Sequence, residues 1–339
     1  MKKTNEKMIK GYKGFSPGMI CRGKQYAENT LFHEKEAKIC EKGMHFCDYP
    51  LNVLFFYPPV ENGKISEYAE VEAPCESLCT DDDTKYCTNE LHIKNKLSLK
   101  ELSDTAIIWI ADHIDRTKKP LNTYVSNGVY PIIAINNYDH SVANGSEMVS
   151  INIGNCSWSN INGSNSVAVN SGRYSYAKCT GNYSVAVNTG RCSVATNFDN
   201  NSIASITGEC SIATNAGVFS VAISTGSRSA TYNSGCRSIA INTGEHSIAN
   251  NTGIRATAIN IGDHSAAIVD QKGSCAIALG RQSIVKGGLG SWIVCAEWKS
   301  HNDVMYIANL KAAFVDGEKI KADTYYMLKN GRFVEVEDA

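Results

Sequence analysis

The feature that most limits what this chain can fold into is a nine-residue period. Ser recurs every nine residues from Ser157 to Ser283, with Ala256 the only substitute among fifteen positions. Gly follows six residues after each Ser up to Ser274, except at Asp199 and Gln271. The unit reads Ser-(Val/Ile)-Ala-x-Asn-Thr-Gly-x-x, as in Ser184-Val185-Ala186-Val187-Asn188-Thr189-Gly190, and degenerate copies reach back through 148–155, 141–145 and 132–137. A fixed short period joining β-branched to turn residues is the signature of a β-solenoid. Each unit reads as four residues of strand closed by Asn-Thr-Gly, with Gly expected to supply positive φ.

Nine residues are too few to circle a core, so one coil is expected to hold two units. The third residue after Ser tests this. It is Ile151, Val169, Val187, Ser205, Ile223, Ile241, Ile259 and Ile277 in alternate units, and Asn160, Lys178, Thr196, Thr214, Tyr232, Asn250 and Ile268 in the others. An 18-residue coil with one apolar and one polar side follows. About eight coils at ~4.8 Å make a rod of roughly 40 Å. Val/Ile and Ala occupy successive positions and face opposite ways. Burying the larger groups gains more, so Val and Ile are expected inside, with Ala and Ser on a smooth outer face. The inverse would expose an aliphatic ladder suited to an oligomer interface.

Residues 18 apart stack, so columns can be read from the text. One corner runs Tyr174, Cys192, Cys210, Arg228, His246, His264, Gln282; others hold Arg237 with Arg255, and Arg173 with Arg191. These corners are expected to be exposed. Arg173, Arg191, Arg228, Arg237, Arg255, His246 and His264 form the candidate binding surface. From Ser141 to Gly290 nine Lys and Arg stand against six Asp and Glu. That mild positive bias fits nucleic acid only weakly and favours a protein partner.

The 339 residues exceed what one core usually encloses, and a net charge of −1 favours neither a polyanion mimic nor a strongly basic nucleic-acid binder. No run of ~18 apolar residues is present, so no membrane span is expected. The basic start lacks an apolar core, and thirteen scattered Cys read as reduced thiols of a cytoplasmic protein. Four regions are expected: a small α+β domain at 1–74, a linker and capping helix at 75–128, the solenoid at 129–290, and an antiparallel β cap at 291–339. In the second, Leu97 to Ile114 carries a helical stripe that Ser98 or Ser103 could cap, and Asp81-Asp82-Asp83 reads as a solvated turn. In the fourth, Asp316-Gly317 and Asn330-Gly331 are hairpin signals. The fold class is therefore mainly β, with a β-hairpin cap closing the solenoid.

The repeats resemble the Ser-Val-Ala-Ile-Gly units in the heads of trimeric autotransporter adhesins and, more distantly, the nonapeptide calcium rolls of secreted toxins. Here Asn stands where the adhesin unit has Gly, and the Asp ladder of the rolls is missing. The first likeness implies a homo-oligomer, a dimer or a trimer, with a virion fibre as one form.

Gly11-Tyr12-Lys13-Gly14-Phe15, Cys21-Arg22-Gly23-Lys24-Gln25-Tyr26, Cys40-Glu41-Lys42-Gly43-Met44-His45-Phe46-Cys47, Pro50-Leu51, Tyr57-Pro58 and Tyr68-Ala69-Glu70-Val71-Glu72 resemble a domain of uncharacterised function common in bacteriophage and prophage proteins. That implies a mobile-element origin and a host-cell cytoplasmic location. The same segment looks like the core of ADP-ribosyltransferases, which implies NAD as cofactor, Arg22 on its phosphate and Glu70 or Glu72 as catalytic carboxylate. The Ser-Thr-Ser element of that family is absent here. Cys40, His45 and Cys47, with Cys75, Cys79 and Cys87, fit no standard zinc spacing, so no metal is expected. The sequence points first to a non-catalytic binding or scaffold protein whose solenoid engages a macromolecular partner, a host defence component being one candidate.

Overall fold

A computed structural model describes residues 8–74, 77–79, 85–116, 123–127, 132–134 and 137–336. Cys75 and residues 81–83 lie outside these. The described chain divides into two compact units, one of residues up to 58 with 65–109, the other of 59–64 with 110–336.

In the first unit Met8–Phe15, Glu67–Pro74, Glu90–Leu97 and Thr30–His33 form an antiparallel sheet in that order. Its core face gathers Phe15, Val71, Ala73, Leu91 and Ile93 against Met44 and Phe46. The segment expected to be a linker therefore contributes a central strand. Its signal was the alternation Leu91, Ile93 between Glu90, His92 and Lys94, hidden by the number of charges. The helix runs Leu99–Arg116. Ser98 caps it: its Oγ accepts the Glu101 N–H (3.2 Å) while the Glu101 carboxylate accepts the Ser98 N–H (2.7 Å), a reciprocal capping box.

The second unit is the β-solenoid of 18-residue coils. Each strand pairs in parallel with the strand 18 residues on, as Val167 with Val185 and Tyr176 with Val194. Alternate strands build two sheets, one of eleven strands and one of twelve. The repeat thus does wind twice per coil. Side-chain direction is the reverse of the expectation: along Val185–Asn188, Ala186 and Asn188 are buried while Val185 and Val187 point outward.

The reason is the shortness of the coil. Four-residue strands joined by five-residue turns bring the two sheets together with room between them for methyl groups and little more. Ala fills the middle as two facing columns, among them Ala168, Ala186, Ala204, Ala222 and Ala177, Ala195, Ala213. Burying one Val more fully would gain ~1.5–3 kcal/mol. Opening the coil to admit it would break several buried hydrogen bonds at ~1–3 kcal/mol each, so the small residues win the inside.

Those hydrogen bonds are repeated in every coil. The Asn188 Nδ2 donates across the interior to the carbonyls of Ser175 (2.9 Å) and Val194 (3.2 Å), while its Oδ1 accepts the Gly190 N–H (3.0 Å). The Ser184 Oγ accepts the Ser166 N–H (3.2 Å) and donates to the carbonyl of Gly163 (3.1 Å). Ser and Asn are buried because their polar atoms find partners in their own coil or the next, Asn152 Oδ1 and Ser224 Oγ excepted.

Glycine does not act as expected. Positive φ falls two residues later, on the residue before each Ser, at 51–58° on the non-glycine residues from Cys156 to Gln282 and at 72° on Gly273, the only glycine in that series. This left-handed residue turns its N–H toward the adjacent coil, as Tyr174 N–H to the Arg191 carbonyl (3.1 Å), which offsets its conformational cost. The repeat Gly is required by stacking. A Cβ on Gly244 would lie 2.0 Å from the carbonyl oxygen of Gly226 one coil below.

After Ser283 the step changes. Cys275–Ala278 pairs with Trp292–Cys295 at an offset of 17, and Trp292–His301 then turns back as Val304–Phe314 through Asn302 and Asp303, both at positive φ. A second hairpin, Tyr325–Lys329 with Arg332–Glu335, turns at Asn330-Gly331 and adds antiparallel to the twelve-stranded sheet. Asp316-Gly317 joins no adjacent strands; the Asp316 carboxylate instead accepts the N–H groups of Glu318, Lys319 and Ile320. No helix among the described residues is long and apolar enough to cross a membrane.

Two substitutions test this packing by thermal unfolding. Gly244→Ala is expected to destabilise by ~3 kcal/mol or more, because the obstructing atom is backbone. Ala240→Leu, directed inward, should lose ~1–3 kcal/mol, whereas Ile241→Thr, directed outward, should change stability by less than ~1 kcal/mol. A larger loss for Ile241→Thr than for Ala240→Leu would restore the inverted arrangement.

Candidate functional site

The solenoid offers two kinds of surface. On the eleven-stranded sheet the outward positions run Val149 and Ile151, Val167 and Val169, Val185 and Val187, and so to Cys275 and Ile277; no charged residue interrupts them. On the twelve-stranded sheet the corresponding positions are mixed, with Lys178, Tyr232, Asn250 and Lys286.

The corners carry the candidate cations, and the structure separates them. Arg191 and Arg228 both reach Glu209, at 2.9 and 2.6 Å, and share its one negative charge. Arg173 lies over the Tyr174 ring, 5.1 Å from its centroid, and its Nη2 donates to the Tyr174 hydroxyl (3.2 Å). Arg237 and Arg255 have no carboxylate within ion-pair distance among the described residues. With Lys272 they line a cleft of about 700 Å³ together with Val218, Cys236 and Ile254. Arg237 also covers the Phe219 ring (5.4 Å). Gly273 occupies the left-handed position one coil above Arg255, and a Cβ there would come 3.6 Å from the Arg255 Cγ.

The remaining corner column is less exposed than expected. Cys192 and Cys210 are fully buried and in no disulfide, and burial pushes the Cys210 thiol up. His246 and His264 stack with ring centroids 4.9 Å apart. The His246 Nδ1 lies 2.9 Å from the Val60 carbonyl and 3.5 Å from the Glu61 carboxylate. No three His, Cys, Asp or Glu side chains among the described residues converge as metal ligands would.

In the first unit Arg22 sits at a hairpin turn with φ of 50° between Ile20–Cys21 and Lys24–Gln25, exposed. Glu70 is held by Lys10 (2.8 Å), and Glu72 by Lys94 (3.1 Å). Both project from the sheet face opposite Ala69, Val71 and Ala73. No hydrogen bond or ion pair joins Arg22 to either carboxylate.

Sequence reasoning missed Lys13. Its side chain is almost wholly buried, donating to the His45 carbonyl (2.8 Å) with the Phe15 and Tyr26 rings beside it, and burial lowers its pKa. Nearby the Tyr57 hydroxyl contacts the Cys21 Sγ (3.0 Å). Nothing in Gly11 to Phe15 marks Lys13 as an inward position, because Gly11 and Gly14 interrupt the alternation.

Residues 9–105 match the model of a family described as a domain of unknown function, DUF7666. The match runs past Pro74, through the strand Glu90–Leu97 and into the helix. No curated protein and no solved structure matches the chain.

The buried cation has a readable consequence at His45. Burial first, then the Lys13, Lys85 and Arg22 charges, lower the imidazole from 6.5 to about 4, and its Nε2 accepts the Cys40 N–H (3.1 Å), as a neutral ring does. The unfolded chain binds that proton more readily. Stability from this residue is therefore complete above pH ~6.5 and is lost as pH falls through about 4. Urea midpoints should drop between pH 7 and pH 4.5, and His45→Gln should flatten that part of the slope; an identical slope in the variant would refute the assignment.

Proposed function

We propose that the protein is a non-catalytic binding or scaffold protein of phage or prophage origin, working in the host cytoplasm, whose solenoid engages a macromolecular partner. The observation that carries this reading is the cleft of Arg237, Arg255 and Lys272. Three cations line one cleft beside Val218 and Ile254, with no carboxylate within ion-pair distance among the described residues, whereas Arg191 and Arg228 are paired with Glu209. Guanidinium groups recognise carboxylates bidentately and are weakly hydrated, so two Arg one coil apart suit successive acidic side chains of a protein segment. Val218 and Ile254 would take an apolar residue between them. A host defence protein with an acidic surface segment is the partner class that fits.

The backbone around the cleft is fixed by the coil-to-coil hydrogen bonds, so the cations are held on a rigid support and little ordering is needed on docking. Retention of a host protein from lysate by the immobilised full chain should weaken as salt rises. It should be lost in Arg237→Glu/Arg255→Glu and kept in Arg191→Gln/Arg228→Gln. Retention of the same species by the wild type and the Arg237→Glu/Arg255→Glu variant would overturn the cleft as the docking site.

A further inference from the structure

We propose that the aliphatic face of the eleven-stranded sheet seats a second copy of this chain, the two packed face to face about a two-fold axis. Ten parallel strands, from Ile132–Ala134 to Trp292–His301, present this face. Along it Ile133 is 60% exposed, Ile203 36%, Ile239 37% and Trp292 49%. Monomers rarely leave an apolar patch larger than ~300–600 Å² in water. Ten strands at ~4.8 Å and four residues at ~3.3 Å give a plane of ~600 Å² per copy, and side-chain relief brings the accessible area near the ~800 Å² per partner of a standard interface.

Three properties select a second copy over another occupant. The face holds no charge, so it has nothing with which to orient a nucleic acid or an acidic peptide. Its Val and Ile rows repeat once per coil at the strand spacing, so only a surface with the same spacing can place ridges into furrows along the whole length. A second copy has that spacing by construction. A lone flat face also dictates the symmetry: a two-fold dimer uses one patch on each subunit, whereas a ring of three requires two different contact patches per subunit. On the other sheet the first outward row, with Tyr176, Val194, Ile212 and Ile248, is apolar but already buried, and the second carries Lys178, Tyr232, Asn250 and Lys286, so that sheet exposes no second apolar patch. Full overlap of antiparallel copies places the axis between the rows of Ser205 and Ile223, with the Val187 row over the Ile241 row. Ser205, polar like Thr257, then lies near the axis.

This inference does not depend on the corner cleft. Light scattering on the full chain at micromolar concentration should give twice the 36.8 kDa subunit mass. Val187→Lys/Ile241→Lys should give a monomer with the wild-type circular dichroism spectrum. If that variant fails to fold, Val187→Thr/Ile241→Thr should raise the dimer dissociation constant roughly tenfold or more. Lys178→Glu and Arg237→Glu/Arg255→Glu should remain dimers. A monomeric or trimeric wild type, or a dimer unaffected by the face substitutions, would overturn the inference; none of these outcomes bears on retention of a host protein by the cleft.

Discussion

The carbonyl oxygen of one repeat glycine occupies the place where a side chain on the next would begin. This approach, near 2 Å to an imagined Cβ in coil after coil from Gly163 to Gly280, sets how closely successive turns of backbone can lie. Once they lie so close, the Asn and Ser side chains reach carbonyls and N–H groups across and between coils, and the middle of the interior is filled mainly by Ala. Packing, polar satisfaction and the outward direction of Val and Ile all follow from that one steric condition. A solenoid with a roomier coil would invert them.

Much of this was legible in the text of the chain. The alternation of apolar and polar residues at the third position after Ser reported the coil length, because a residue's surroundings repeat only when the backbone returns to the same azimuth. The inward face was misjudged because burial was weighed one side chain at a time, whereas the choice is made by hydrogen bonds that each coil must form with its neighbours. The role of Gly was misjudged for a similar reason. Its neighbour is 18 residues away, and no local turn signal reveals a clash that distant. The left-handed positions, filled by Cys, Tyr, Asn, Arg and His, carry no such signal either.

The binding surface was legible in part. Arg237 and Arg255 share a column and were visible together; Lys272 lies one residue off that column and joins them in space. The pairing of Arg191 and Arg228 with Glu209 was available in principle, at separations of 18 and 19 residues, to anyone who read acids along with bases. In the first unit the carboxylates Glu70 and Glu72 proved to be engaged with lysines of neighbouring strands, and the chemically unusual group is Lys13. Its environment is created by rings and a carbonyl from three separate segments, which no spacing rule brings together.

The change of step after Ser283 has a consequence for the life of the chain in a crowded cell. A stack of identical parallel strands is a template on which any extended peptide, including another copy, can continue to add. The shortened offset at Trp292, the irregular register between Glu297 and Trp298, and the two antiparallel hairpins that follow remove the template at that end. The repeat is thereby given a fixed last rung, and a sequence pattern that elsewhere would favour unlimited fibril growth is confined to a particle of defined length.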